Sequence, residues 1–431
     1  PRRYFPLTQR INTPGNAMTT LDIDYIRAQF PALSHQETGR WAFFENAGGS
    51  YAATPVIEKL NHFMTTTKMQ PYGHISPARE AGEAMDRSHR LMAESINADI
   101  DEVMFGPSTS INSYVLSKAF AEVLKSGDEI VVTNQDHEAN IGVWRRLSEN
   151  NPGVVLREWC VNSDTGLLDE NDLKTLVNER TRFVFVTHCS NIVGKINGIA
   201  SISDIAHSAG AKIVVDGVSF APHLAVDVKA LKVDIYLYSL YKVFGPHQGL
   251  MYVQRDLLHE LPNQGHYFNA EDPSKGLTPA GPMHGEIACV SGIVDYLTNG
   301  YRHHFGATST ASIQSQVSTM MSLGHVHEIE QSNRILDFLR DKDARIIGNT
   351  HAIENERAPT IAFSPRKIAP EAAVKALSEQ QIGVGAGHFY AYRLMEALGI
   401  EPDVGVVRVS LVHYTSAEDV DRLLNALDEV I

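Results

Sequence analysis

Lys212-Ile213-Val214-Val215-Asp216 and, further on, Ile235-Tyr236-Leu237-Tyr238-Ser239-Leu240-Tyr241-Lys242-Val243-Phe244-Gly245-Pro246 decide how this chain reads. The first is a β-branched run ending in a carboxylate. The second is a strand-like run that delivers one lysine into an apolar, aromatic and Gly/Pro setting. A lysine placed there is poorly solvated, so its neutral amine is favoured and its pKa falls. Such an amine adds to carbonyls, which is Schiff-base chemistry. Asp216 ends the neighbouring strand, where a carboxylate can pair with the cationic ring nitrogen of a cofactor. An exposed strand-end lysine and a strand-capping aspartate satisfy the same letters, so the surrounding chain has to decide.

Working outward, short β-rich runs recur at Val103–Phe105, Ile130–Thr133, Val154–Leu156, Phe183–Thr187, Lys212–Asp216, Ile235–Tyr238 and Leu250–Val253. Helix-compatible segments separate several of them: Ser113–Leu124, Ile141–Ser148, Glu170–Asn178 and Ser203–Ala209. This alternation predicts an α/β fold with a mostly parallel sheet covered on both faces. Ligands bind such sheets at the carboxyl ends of the strands. Asn134–His137, His188–Asn191, Asp216 and Ser239–Lys242 all fall at those ends. Before this region, Ile23–Phe30 and Arg79–Ile96 read as helices, and Trp41–Phe44 as a strand. Thr54 and Pro55 fit the cap and first position of another helix. After it, Glu286–Leu339 reads as mainly helical. A second mixed segment follows, with strands at Arg345–Ile347, Thr360–Ser364 and Val406–Val412, helices at Pro370–Leu377 and Ser416–Leu427, and a tight glycine turn at Gly383–Gly387. Residues 46–300 are expected to form a large domain, and residues 18–45 with 301–431 a smaller α+β domain. Residues 1–17 hold Arg2, Arg3 and Arg10 and no acid, and read as a leader or added segment.

Composition narrows the function. Lys+Arg 37 against Asp+Glu 51 gives a net charge of −14 over 431 residues. That balance opposes a nucleic-acid partner, which requires a basic footprint. Cys160, Cys189 and Cys289 are widely spaced, which indicates neither a zinc site nor a disulfide framework and fits a reducing cytoplasm. No apolar run approaches the ~20 residues of a membrane span.

Four motifs carry candidate chemistry. Phe105-Gly106-Pro107-Ser108-Thr109-Ser110 joins a strand to a helix, where hydroxyls and free N–H groups cradle a phosphate or simply cap the helix. Asp136-His137-Glu138-Ala139-Asn140 lacks the second histidine of HExxH, which excludes a zinc protease and leaves His137 as a stacking or acid–base imidazole. Gly383-Val384-Gly385-Ala386-Gly387 misses the dinucleotide spacing. Arg408, inside the apolar run Val406–Leu411, needs a partner: a substrate carboxylate or a structural ion pair.

Together, Phe44–Gly49, Asp136–Trp144, Ser190–Gly194, Val214–His223, Ser239–Pro246 and Val407–Leu424 resemble the class V aminotransferase family of pyridoxal-phosphate enzymes, in its cysteine desulfurase-like branch. The resemblance runs from Trp41 to Ile431. It implies a fold-type I PLP-dependent transferase and a homodimer with shared active sites. By motif, Lys242 is similar to the lysine that binds the cofactor covalently, Asp216 to the partner of the ring nitrogen, and His137 to the imidazole stacked on the ring. Asn191 matches the asparagine near the ring hydroxyl, Thr109, Ser110 and Ser239 match phosphate contacts, and Arg408 matches the carboxylate-binding arginine. Asn46, Ala47 and Gly48 match the loop lining the substrate pocket, and His388 is a further candidate there.

The departures are Ser219 where glutamine is usual, Tyr241 where histidine is common, and Gly281-Pro282 where a neighbouring subunit offers Gly-Thr. In the loop Gly385-Ala386-Gly387-His388-Phe389-Tyr390, Tyr390 replaces the persulfide-forming cysteine. A thiolate is needed to take sulfur from cysteine. The expectation is therefore an enzyme that deprotonates a small amino acid at Cα and acts as a C–S/C–Se or β-eliminating lyase without sulfur storage. An aminotransferase, an epimerase or a non-catalytic protein of the same fold are the alternatives.

Overall fold

The computed structural model describes residues 19–306 and 310–431. The expected leader therefore lies outside the described residues. Seven strands make the larger sheet: β1 Val103–Gly106, β2 Glu129–Thr133, β3 Val155–Trp159, β4 Thr181–Thr187, β5 Lys212–Asp216, β6 Ile235–Ser239 and β7 Gly249–Val253. Their spatial order is β1-β7-β6-β5-β4-β2-β3. Pairing is parallel from β6 through β3, and β7 runs antiparallel to both its neighbours.

The strands are apolar on both faces because helices cover both. Along β4, Phe183 and Phe185 enter one core while Val184 and Val186 enter the other. β6 repeats the alternation: Ile235 and Leu237 face the first, Tyr236 and Tyr238 the second. On the first face, the Trp144 ring stacks on Phe185 at 4.0 Å and Phe120 on Phe183 at 4.1 Å. These rings pin the helices Thr109–Val123 and Gly142–Asn150 to the sheet. On the second face pack Ser76–Ser95, Ile199–Ser208 and His284–Phe305.

A four-stranded antiparallel sheet, ordered Gly385–Gly387, Val406–Ser410, Thr360–Ser364, Arg345–Ile346, has its own apolar core beneath Ile313–Asp341, Pro370–Glu379 and Ala417–Val430. The strand Ala42–Phe43 joins this part of the molecule by pairing in parallel with Ile382–Gly383.

Three local expectations are corrected. Ala53, not Thr54, holds the cap position of the helix Thr54–His62. The Thr54 hydroxyl instead donates to Gln29 O at 2.8 Å, tying two segments together. The helix after β1 begins at Thr109 rather than Ser113, because Ser108 Oγ accepts the Ile111 N–H at 3.2 Å and caps it. Gly383–Gly387 is not a tight turn but parts of two strands, Ile382–Gly383 and Gly385–Gly387. The absence of a side chain at Gly385 leaves room for the Glu45 carboxylate: a Cβ there would lie 1.9 Å from Glu45 Oε2. Among the described residues, no helix is long and apolar enough to cross a membrane.

Candidate active site

The carboxyl ends of β4, β5 and β6 open into a cleft enclosing about 470 Å³. Thr109, Ser110, His137, Asn191, Asp216, Ser219, Ser239, Tyr241 and Lys242 all line it. The chain thus gathers nine of the expected residues from positions 109 to 242 onto one rim.

One wall is the start of the helix Thr109–Val123. Its first N–H groups lack intrahelical partners and carry the positive end of the helix dipole. Thr109 Oγ1 and Ser239 Oγ lie 2.8 Å apart, linking this wall to the end of β6. Gly249 on β7 lets the loop sit against the sheet: a Cβ there would meet Ser108 C at 2.4 Å and Thr109 N at 2.5 Å. Backbone cannot give way as a side-chain tip can. Gly249→Ala is therefore expected to lower unfolding free energy by about 1–3 kcal/mol, read as a shift of the urea midpoint. An unchanged midpoint would show that the loop has slack.

Lys242 follows β6 in a single tight turn, Leu240–Lys242, and is 8% exposed. Its amine has no ion-pair partner among the described residues. Burial, helped by the nearby Arg408 charge, pulls the Lys242 pKa down to about 8. Asp216 Oδ1 accepts the Val218 N–H at 2.8 Å. Burial raises the Asp216 carboxyl to about 6, against the pull of that hydrogen bond and of Lys242. His137 is drawn down to about 3 by burial and by the Lys242 and Arg408 charges, so its ring is neutral at physiological pH. Beside it, Asp136 accepts from Thr133 Oγ1 at 2.6 Å, and burial holds its carboxyl well above the usual range.

Arg408, His388 and Asn46 to Gly48 are not among the residues that line the cleft; the second sheet sets Arg408 against Asn191 at the cleft's edge. Arg408, on the strand Val406–Ser410, donates through one terminal nitrogen to Glu45 Oε1 at 2.5 Å. Its other terminal nitrogen reaches Asn191 O at 3.4 Å, and the Phe389 ring lies 3.8 Å from its guanidinium carbon. Asn191 Nδ2 donates to Phe389 O at 2.9 Å, which fastens the loop 388–390 to the cleft. That loop is tightly bent: Phe389 and Tyr390 have φ of 48° and 60°. It brings the Tyr390 ring to 5.1 Å from His137 while leaving Tyr390 66% exposed. Within the loop, His388 Nδ1 accepts the Tyr390 N–H at 3.0 Å.

The Asn46 side chain is occupied by the fold. It donates to Ser410 O at 2.9 Å and accepts from the Tyr414 hydroxyl. The Ala47 N–H donates to Ser410 Oγ at 2.8 Å and the Gly48 N–H to Glu45 O at 3.0 Å, so Asn46 to Gly48 wrap the Glu45 backbone. Gly281 does not line the cleft of its own chain and stands in open space. Glu45 was not singled out from sequence. Its chemistry comes from Arg408, which only the folded chain brings to it. Cys189 lines the cleft, but it is buried and its thiol is pushed up to about 12 by burial. Cys289 is likewise buried and pushed to about 12, and Cys160 lies outside the cleft.

The model of the class-V aminotransferases matches residues 42–423. The chain belongs to the class-V aminotransferase family. Family members are pyridoxal-phosphate-dependent enzymes. The chain is 33% identical to the "aminotransferase-like protein FGM3" of Gibberella zeae, over 96% of this chain and 99% of that one. It is 30% identical to the "cysteine desulfurase-like protein ustD" of Aspergillus flavus, over 99% and 95% respectively. The solved cysteine desulfurase of Thermococcus onnurineus superposes with a TM-score of 0.80 at 23% identity, over 95% of this chain and 98% of that one. The fold is that of the fold-type I pyridoxal-phosphate enzymes.

The cleft of this class-V member fits the family's cofactor on its own features. Asn191 Oδ1 is buried without a hydrogen-bond partner, as an acceptor awaiting a ring hydroxyl would be. A buried unpaired amine, a buried carboxylate and a helix N-terminus answer the cofactor's aldehyde, ring nitrogen and phosphate in turn.

Proposed function

We propose that the cleft binds pyridoxal 5'-phosphate and that the chain deprotonates a small amino acid at Cα and cleaves a bond at Cβ, releasing sulfide, selenide or another β-substituent. The observation that carries this reading is the buried, unpaired Lys242 amine beside Asp216 at the strand ends. Bound there, the cofactor supplies an electron-accepting ring for the charge left at Cα. Lys242 holds the cofactor and then serves as the base for the Cα proton, a task suited to an amine with pKa near 8. Asp216 keeps a positive charge on the ring nitrogen. The neutral His137 ring would stack on the cofactor. Thr109, Ser110 and Ser239 hold phosphate, Asn191 the ring hydroxyl, and Arg408 the substrate carboxylate. Ser219 and Tyr241 complete the cofactor's surroundings, while His388 borders the substrate.

Sulfur storage on the enzyme is not part of this reading, because Tyr390 occupies the loop and the one thiol lining the cleft is held protonated. Transamination is the second reading, favoured by the same lack of a reactive thiol. A panel of amino acids separates them. Pyruvate with sulfide or selenide supports the lyase. Conversion of the cofactor to its amine form supports transamination, and solvent deuterium at Cα with neither product supports an epimerase.

Gly281 is expected to serve the cleft of a second copy. The segment leading to it exposes Tyr267 by 98% and Phe268 by 84%, as an interface would. Sedimentation of the holoenzyme at twice the monomer mass is the expected result, and a monomer with full activity would refute sharing.

The rate of cofactor attachment should rise about tenfold per pH unit below the Lys242 pKa, because only the neutral amine reacts. The sign follows from the lowered pKa: the rise should level near pH 8. Rapid mixing of the cofactor-free chain with pyridoxal phosphate from about pH 6 to about pH 11.5, past the ordinary lysine pKa, measures this. An inflection above pH 10 would show Lys242 to be solvated.

A further inference from the structure

Arg408 already holds a carboxylate. The Glu45–Arg408 pair is asymmetric in burial, with side chains 29% and 5% exposed, respectively. The guanidinium is fixed on its face by Phe389 and keeps Nε without a hydrogen-bond partner. Glu45, on the open side, is the partner with room to move. Its seat is specific. Gly385 leaves the space in which Glu45 Oε2 and the Phe389 ring edge lie, since a Cβ would meet them at 1.9 and 2.8 Å. Burying Arg408 without an anion would be costly, and the Glu45 carboxylate offsets that cost.

Resting on the role of Arg408 proposed above, we propose that Glu45 is an internal competitor for the substrate's carboxylate: the incoming carboxylate exchanges with Glu45 on Arg408. Charge balances, since one carboxylate replaces another on the same guanidinium and no proton moves. Releasing Glu45 weakens the binding of every carboxylate equally. Simple acids with no other anchor are therefore rejected, while an amino acid recovers the loss through its amine and side chain. Glu45 is thus a positioning residue that sets how much further binding a carboxylate ligand must bring to occupy Arg408.

The test is calorimetric titration of the holoenzyme, and in parallel of the cofactor-free chain, with propionate, a carboxylate lacking an amine. Glu45→Gln keeps the shape and removes the charge, and should bind propionate at least about tenfold tighter than the unaltered chain. Glu45→Asp, one methylene short of Arg408, should fall between. With an amino-acid substrate, Glu45→Gln should lower KM more than it alters kcat. A merely structural Glu45 predicts the opposite sign, because an unsupported Arg408 would bind propionate more weakly. Arg408→Gln separates the two layers of argument. If it abolishes propionate binding while Glu45→Gln does not tighten it, the exchange is overturned and the role of Arg408 stands. If Arg408→Gln binds propionate as well as the unaltered chain does, the role of Arg408 falls, and the exchange with it.

Discussion

Lys242→Ala should reduce turnover of any amino-acid substrate by at least about a thousandfold, since covalent anchoring and proton transfer are lost together. The same variant should lack the visible absorbance band of the covalently held cofactor. Borohydride should then fix no label on the chain, whereas in the unaltered protein the label should map to Lys242. Lys242→Arg sharpens the test. Arginine retains length and charge, but it does not lose its proton in proteins. If the lysine acts through its neutral amine, arginine should fail as completely as alanine. Substantial turnover in either variant would remove Lys242 from the centre of the chemistry. The expectation is physical in origin: Lys242 is 8% exposed, and burial brings its pKa down to about 8.

Asp216→Asn should lower turnover about a hundredfold or more, while leaving the cofactor attached to Lys242. Asparagine preserves volume and can still accept the Val218 N–H that Asp216 Oδ1 accepts at 2.8 Å. What it removes is the negative charge proposed to pair with the cofactor's ring nitrogen. A charge-assisted hydrogen bond in a buried site contributes about 1.5–3 kcal/mol, and a hundredfold corresponds to roughly 2.7 kcal/mol. In the cofactor-free chain Asp216 carries its charge above about pH 6, so cofactor uptake by the unaltered chain should weaken as pH falls through that value. The Asn variant should lack that weakening. Activity within threefold of the unaltered chain would show that Asp216 is only a structural cap.

Much of this was legible in the letters, for identifiable reasons. Lys212–Asp216 and Thr360–Ser364 have the bounds that sequence predicts, because β-branched and aromatic runs buried on both faces tolerate little else. Lys242 and Asp216 are legible only together with the other segments, because a strand-end lysine and a strand-capping aspartate are ordinary on their own. Glu45 was illegible by the same logic. It sits in a short, ordinary-looking loop, and its significance depends on Arg408, 363 positions away. The glycine cluster Gly383–Gly387 reads as a turn because its composition is that of one. Its strand character comes from pairing with Ala42–Phe43 and Val406–Arg408, which local sequence does not encode. Thr54 reads as a cap because its type suits one, and a bond to Gln29 overrides that preference.

The Glu45–Arg408 contact also places the cleft in time. At roughly 5–20 residues per second, a ribosome needs about 20–70 seconds to travel between these two codons. During that interval the nascent chain can order its seven-stranded sheet, with Lys242 and Asp216 in place, while the strand that carries Arg408 does not yet exist. The site is therefore finished last, by the piece that leaves the exit tunnel near the end of synthesis.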